Sequence, residues 1–229
     1  MHLNARQLAF KTSLPVFFGY LPLGISFGVL FATQLSYSWL IAPLMGVLIY
    51  AGSGQLLAVS LLVSVSGLTE IFVAMFLLNA RHIFYGLSLL KAFAGAGLKK
   101  LYLIFGLTDE VYSLLTSRPR KANPSASEQK QEQLTDFYIT LFCHAYWILG
   151  CAVGAWLGAT LNFNATGIEF ALVALFIVLA IEQYKALQNK FPVIAGGLAA
   201  GIALLLFSAS QQLVVAMLLV VIALLAQYK

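Results

Sequence analysis

Asn79-Ala80-Arg81-His82 interrupts an apolar run that extends from Ile71 to Leu90. A charged side chain at mid-membrane costs roughly 2.5–3.5 kcal/mol on insertion scales, so an arginine and a histidine here must face a protein interior or a watery cavity. On a helix Asn79, His82 and Tyr85 recur at three-residue steps along one face, and Arg81, four residues before Tyr85, adjoins that face. An arginine fork binds a carboxylate through two parallel hydrogen bonds, and histidine changes charge near neutral pH. The chemistry implied is substrate capture or proton handling. The structural alternative is a lock in which Arg81 pairs with Asp109 or Glu110.

Two further groups carry polar chemistry inside apolar sequence. In Ile49-Tyr50-Ala51-Gly52-Ser53-Gly54-Gln55, Gly52 and Gly54 each weaken a helix by about 1 kcal/mol relative to alanine. The Gly52–Gln55 stretch is therefore expected to unwind, with the N–H groups of a new helix start offered to a carboxylate. A tight helix crossing is the competing reading; Gln55, an amide that needs partners when buried, favours a binding site. Thr108-Asp109-Glu110 places adjacent carboxylates about 100° apart around a helix, so one can meet Arg81 while the other takes a proton or faces the surface near Arg118. His144, Tyr146 and Trp147, and the later Glu182-Gln183-Tyr184, read as packing or interfacial residues. Nothing has metal-ligand spacing, no nucleophile adjoins a base, and no cofactor is implied. A membrane-embedded enzyme working through Asp109, Glu110 or His82 is the disfavoured alternative.

The elements that must position these residues are membrane helices. The chain is 61% hydrophobic and 9% charged, too apolar to be solvated as a globule of 229 residues. A helix needs about 20 apolar residues to cross the hydrocarbon core. That rule finds Leu14–Ala32, read as an uncleaved first span, then Ile41–Ser66, Ile71–Leu90 and Phe137–Leu161, with shorter pieces at Ile168–Ile181, Val193–Phe207 and Leu213–Ala226. Leu101–Leu115 is short and carries its acids in the middle, which predicts a broken or re-entrant helix. The fold class expected is an all-α, polytopic integral membrane protein of seven to eight hydrophobic segments.

Residues 118–136 form the only long polar stretch, read as a flexible cytoplasmic loop between an N-terminal membrane half, 1–117, and a C-terminal half, 137–229. Basic residues at Arg6, Lys11, Lys91, Lys99, Lys100, Arg118, Arg120, Lys121, Lys185, Lys190 and Lys229 mark the cytoplasmic side and place the N-terminus there. Strict alternation of simple spans does not put all of them inside, so Ile41–Ser66, Leu101–Leu115 or both must enter and leave on one side, or one basic loop breaks the rule. Gly24, Gly28 and Ala32 recur, offset by 126 residues, as Gly150, Gly154 and Gly158, a faint sign of two related halves and a stripe that lets helices approach closely. Cys143 and Cys151 lie about 12 Å apart along one helix, too far for a disulfide.

Four phrases in order resemble the large subunit of the AzlC family of branched-chain amino acid exporters. They are Leu14-Pro15 with Tyr20-Leu21-Pro22-Leu23-Gly24, then Ile49 to Gln55, then Asn79-Ala80-Arg81-His82-Ile83-Phe84-Tyr85-Gly86, then Phe105-Gly106-Leu107-Thr108-Asp109-Glu110-Val111. They cover the first half of the chain; beyond Asp136 only hydropathy and length agree. The resemblance implies a secondary transporter that exports valine, leucine, isoleucine and sometimes methionine across the bacterial plasma membrane. It also implies a small hydrophobic membrane partner of the AzlD type, with the lipid bilayer as solvent and no nucleic acid. In that setting Gly52, Ser53, Gly54, Gln55, Asn79, Arg81 and Tyr85 are the candidate substrate-binding residues, and His82, Asp109 and Glu110 the candidates for proton coupling or gating. Phe84 and Phe105 are expected to line the side-chain pocket. Where family members often carry an aspartate before Ala80, this chain has Asn79, which cannot hold a proton, so either coupling falls to Asp109, Glu110 or His82 or the protein does not couple to protons at all. The alternative is the permease subunit of an ATP-driven amino acid importer, with residues 118–136 as its contact to an ATPase.

Overall fold

The computed structural model describes residues 4–121, 124–161, 177, 181, 184–185 and 189–227. Every regular element among them is helical: α1 (Ala5–Gln34), α2 (Ile41–Leu48), α3 (Gly52–Val63), α4 (Leu68–Asn79), α5 (Arg81–Ser88), α6 (Lys99–Phe105), α7 (Asp109–Ser117), α8 (Ala126–Thr160), α9 (Phe191–Leu206) and α10 (Ala209–Gln227). Helical stretches at 5–34, 68–88 and 126–160 are long and apolar enough to cross a membrane. The expected piece Ile168–Ile181 falls almost wholly outside the described residues, as do Glu182 and Gln183.

Two compact units divide the chain, one formed by residues 1–56 with 79–164 and the other by 57–78 with 165–229. All of the candidate site residues belong to the first. In the second, α9 packs against α10, and Thr69, Glu70, Val73, Phe207 and Gln211 line a cleft of about 300 Å³.

The first unit is built on α1 against α8. Both helices start from a capping box, Asn4 with Gln7 and Ser125 with Glu128, which satisfies N–H groups that would otherwise be orphaned. The two small-residue stripes of the sequence pack against each other. A Cβ placed on Gly24 would lie 3.0 Å from the Gly150 Cα, one on Gly150 would lie 2.9 Å from the Leu21 carbonyl oxygen, and one on Gly158 would lie 3.1 Å from Ala32. The backbones therefore touch, which only glycine permits, and close backbone approach is what holds helices together where lipid offers no hydrophobic drive. Phe27, Phe31, Ile139 and Ala155 are buried around this seam, together with Cys143 and Cys151 as free thiols.

The polar stretch 118–136, expected as a flexible loop, is helical from Ala126 onward. Its Ser, Gln and Glu content reads as solvated, but Ser125 and Glu128 start a helix there, and a buried ion network draws its last residue inward. Asp136, with no exposed surface, accepts from Arg120 at 2.8 Å and lies 3.4 Å from Arg118. Burial pulls the Arg118 pKa below its ordinary value, while Asp136 pushes it back up. The network ties the segment leaving α7 to α8.

Candidate functional site

Three helix starts supply the site. The first follows a break between α2 and α3. Ile49 and Tyr50 both direct their N–H groups to the Met45 carbonyl, at 2.8 and 3.4 Å, and Tyr50 turns into the left-handed region with φ 45°. A bulky residue rarely adopts that conformation, which stores strain and ends α2. The break thus lies at residues 49–51, not at the glycines. Gly52, Ser53, Gly54 and Gln55 are not unwound, as the sequence led us to expect; they form the first turn of α3. Gly52 instead serves packing, since a Cβ there would lie 3.0 Å from the Trp147 ring.

The second start is α7, after a break at Gly106-Leu107-Thr108 that splits the segment Leu101–Leu115 as its sequence predicts. Gly106 leaves no room for a side chain against Thr140. Thr108 caps α7 by accepting from the Val111 N–H at 3.3 Å, and Asp109 and Glu110 occupy the first turn, where the helix dipole favours negative charge. The third start is α5, whose first residue is Arg81.

Arg81 joins all three. Its Nη2 lies 3.0 Å from Asp109 Oδ2 and donates to Ser53 Oγ at 3.3 Å. Tyr85 completes the group by donating its hydroxyl to Asp109 Oδ1 at 2.7 Å. A guanidinium and the positive ends of α3 and α7 thus meet, balanced by Asp109. The pair is half-buried, with side-chain exposures of 36% and 37%, so it stays open to a solute.

Glu110 turns away from this pair, as its angular offset demands. Its Oε2 accepts from the Tyr20 hydroxyl at 2.7 Å, and that hydroxyl also lies 2.5 Å from Thr108 Oγ1. Gln55 is fully buried; its Oε1 accepts from the Trp147 indole N–H at 2.8 Å. Gln55 Nε2 and Arg81 Nε are buried donors with no acceptor. Such groups are uncommon in a folded protein, and each points to an acceptor that arrives with a ligand or with water.

Other expected residues stand at the margin. His82 meets Tyr85 edge-on, with ring centroids 5.7 Å apart, and Asn79 ends α4 half-buried. Phe84, 69% exposed, does not line an interior pocket, whereas Phe105 packs beside Tyr50 and His144. Tyr20, Tyr50, Tyr102, His144 and Trp147 complete the polar interior without having been singled out as site residues. The available signal was His144 and Trp147 three residues apart on α8, a spacing that puts both on the face turned to the break. Among the described residues, no three or more His, Cys, Asp or Glu side chains gather as metal ligands.

The family model described as AzlC protein matches residues 15–161, a range that takes in both breaks and all of α8. The chain is 36% identical to the branched-chain amino acid transport protein AzlC of Bacillus subtilis over 95% of its own length and 85% of that protein's. It is also 36% identical to an uncharacterized membrane protein of Helicobacter pylori, over 97% of this chain and 94% of that one. The inner membrane protein YgaZ of Escherichia coli is 29% identical over 78% of this chain and 73% of its own. No solved structure matches the chain.

Proposed function

Because the chain belongs to the AzlC family of membrane transport proteins, we propose that it exports branched-chain amino acids across the bacterial plasma membrane. It does so as the large subunit of a pair, with a small hydrophobic membrane partner of the AzlD type, and with its N-terminus in the cytoplasm. The name of the Bacillus subtilis relative supports the substrate class. The observation that carries the reading is the pair of buried, unpartnered donors, Gln55 Nε2 and Arg81 Nε, beside the first turn of α3. Donors without an acceptor suit a carboxylate, and an arginine fork binds one through parallel hydrogen bonds. The ammonium of the same amino acid goes to Asp109 or to the Glu110 oxygen that Tyr20 leaves open. A zwitterion met by both signs is desolvated at lower cost than a bare ion. With Asn79 unable to carry a proton, Asp109, Glu110 and His82 take up coupling.

The test is counterflow of labelled leucine in proteoliposomes that hold this chain with its small partner, at set pH and voltage and without ATP. Accumulation of label that unlabelled valine and isoleucine abolish is the expected result. Equal label with and without trapped leucine, or transport that requires ATP, overturns the proposal. Co-purification of an ATPase in place of a small membrane protein would favour an importer.

A further inference from the structure

In a continuous helix the Gly46 carbonyl would accept from the N–H of Tyr50, four residues on. The left-handed turn at Tyr50 sends that N–H to Met45, which leaves the Gly46 carbonyl orphaned inside the protein. His144 fills the vacancy: its Nε2 lies 3.1 Å from the Gly46 oxygen. A carbonyl only accepts, so Nε2 carries the proton; in the neutral ring Nδ1 is then the acceptor, and the Tyr102 hydroxyl, 3.0 Å away, donates to it. The same imidazole lies against the Tyr50 ring, with centroids 4.2 Å apart and planes inclined by 31°. His144 therefore holds the break from both sides, the carbonyl that precedes it and the aromatic ring within it. It does so from α8, the helix locked to α1 by the glycine seam.

We propose that His144 is a positioning residue for transport, an external cap that keeps the α2–α3 chain open at Tyr50 and so fixes where the first turn of α3 presents Ser53 and Gln55. The role in transport rests on the carboxylate site proposed above. The cap itself rests on the geometry of the break. Two chemical features define it, a donor at the Nε2 position and a flat group against Tyr50. Gln reproduces the donor at that reach, Asn places its amide nearer the Nδ1 position, and Leu supplies neither.

The experiment compares His144→Gln, His144→Asn and His144→Leu with the parent chain in detergent and in proteoliposomes. Hydrogen exchange of the peptide spanning residues 45–55 reads the cap without reference to transport. Exchange there is expected to rise on the order of tenfold in His144→Leu and His144→Asn, and to stay within about twofold in His144→Gln. In liposomes the KM for leucine should follow the same order, with the Gln variant near the parent value. Unchanged exchange in His144→Leu overturns the cap, as does a Gln variant that opens as far as Leu. If His144→Leu does not fold, the contrast between Gln and Asn decides. Altered exchange with an unaltered KM leaves the cap standing and refutes its role in transport, while a parent chain that fails to move leucine refutes the substrate reading alone.

Discussion

Replacing Arg81 with lysine separates the two tasks assigned to that side chain. The guanidinium spends Nη2 on Asp109 and Ser53 and retains Nε for a ligand. A lysine ammonium is a single point of charge that can reach Asp109 but cannot also offer a second donor in a fixed fork. Arg81→Lys should therefore preserve the ion pair and lose one charge-assisted hydrogen bond to the substrate carboxylate. Such a bond contributes about 1.5–3 kcal/mol, and the half-exposed setting, where water replaces part of the loss, favours the lower end. A KM for leucine raised on the order of tenfold, with maximal rate within about twofold, is the expected outcome. Arg81→Ala, which also strips Asp109 of its cation, should abolish transport while the protein stays monodisperse. The assay is counterflow of labelled leucine over a concentration series, at matched protein density in the membrane. An Arg81→Lys protein with the parent KM would refute the argument and leave Arg81 as a lock between α3, α5 and α7.

Other consequences concern the frame that carries the site. Gly24→Ala puts a methyl group 3.0 Å from the Gly150 Cα, whereas Gly19→Ala meets nothing within 4 Å. Overpacking costs about 1–3 kcal/mol, so thermal unfolding in detergent should shift down for the first substitution and hold for the second. Asp136→Asn leaves Arg118 and Arg120 without their buried carboxylate, a loss of roughly 3–5 kcal/mol for a broken buried pair. Limited proteolysis should then cut between residues 117 and 126 at rates the parent resists, and unchanged cleavage would show that the network contributes no anchoring.

Much of this architecture could be read from the chain because its signals are local. The short segment Leu101–Leu115 carries acids at its centre and breaks there, and Arg81 finds Asp109 because a mid-membrane guanidinium has few other partners. The stripes Gly24-Gly28-Ala32 and Gly150-Gly154-Gly158 announced close helix contact, though not that they would contact each other. Tyr50 shows where such reading stops. Glycines at 52 and 54 drew attention as helix breakers, yet the break falls on a tyrosine held in a left-handed turn by rings from distant helices. Tyr20 with Glu110, His144 with the Gly46 carbonyl and Gln55 with Trp147 are joined across roughly ninety residues of chain. No periodicity records contacts of that range. The helix from Ala126 was hidden for another reason: the residues that solvate a loop also start a helix well, and only the burial of Asp136 separates the two cases.

The glycine seam also limits how the protein can move. Where backbone rests on backbone, from Gly24 and Gly28 to Gly150 and Gly154, α1 and α8 have no side chains between them to re-seat, so neither can slide or roll without losing that contact. They act as one stiff keel. Within the first unit, the short, interrupted pieces α2, α3, α6 and α7 are the ones whose ladders are already open, at residues 49–51 and 106–108, and bending there leaves the seam intact.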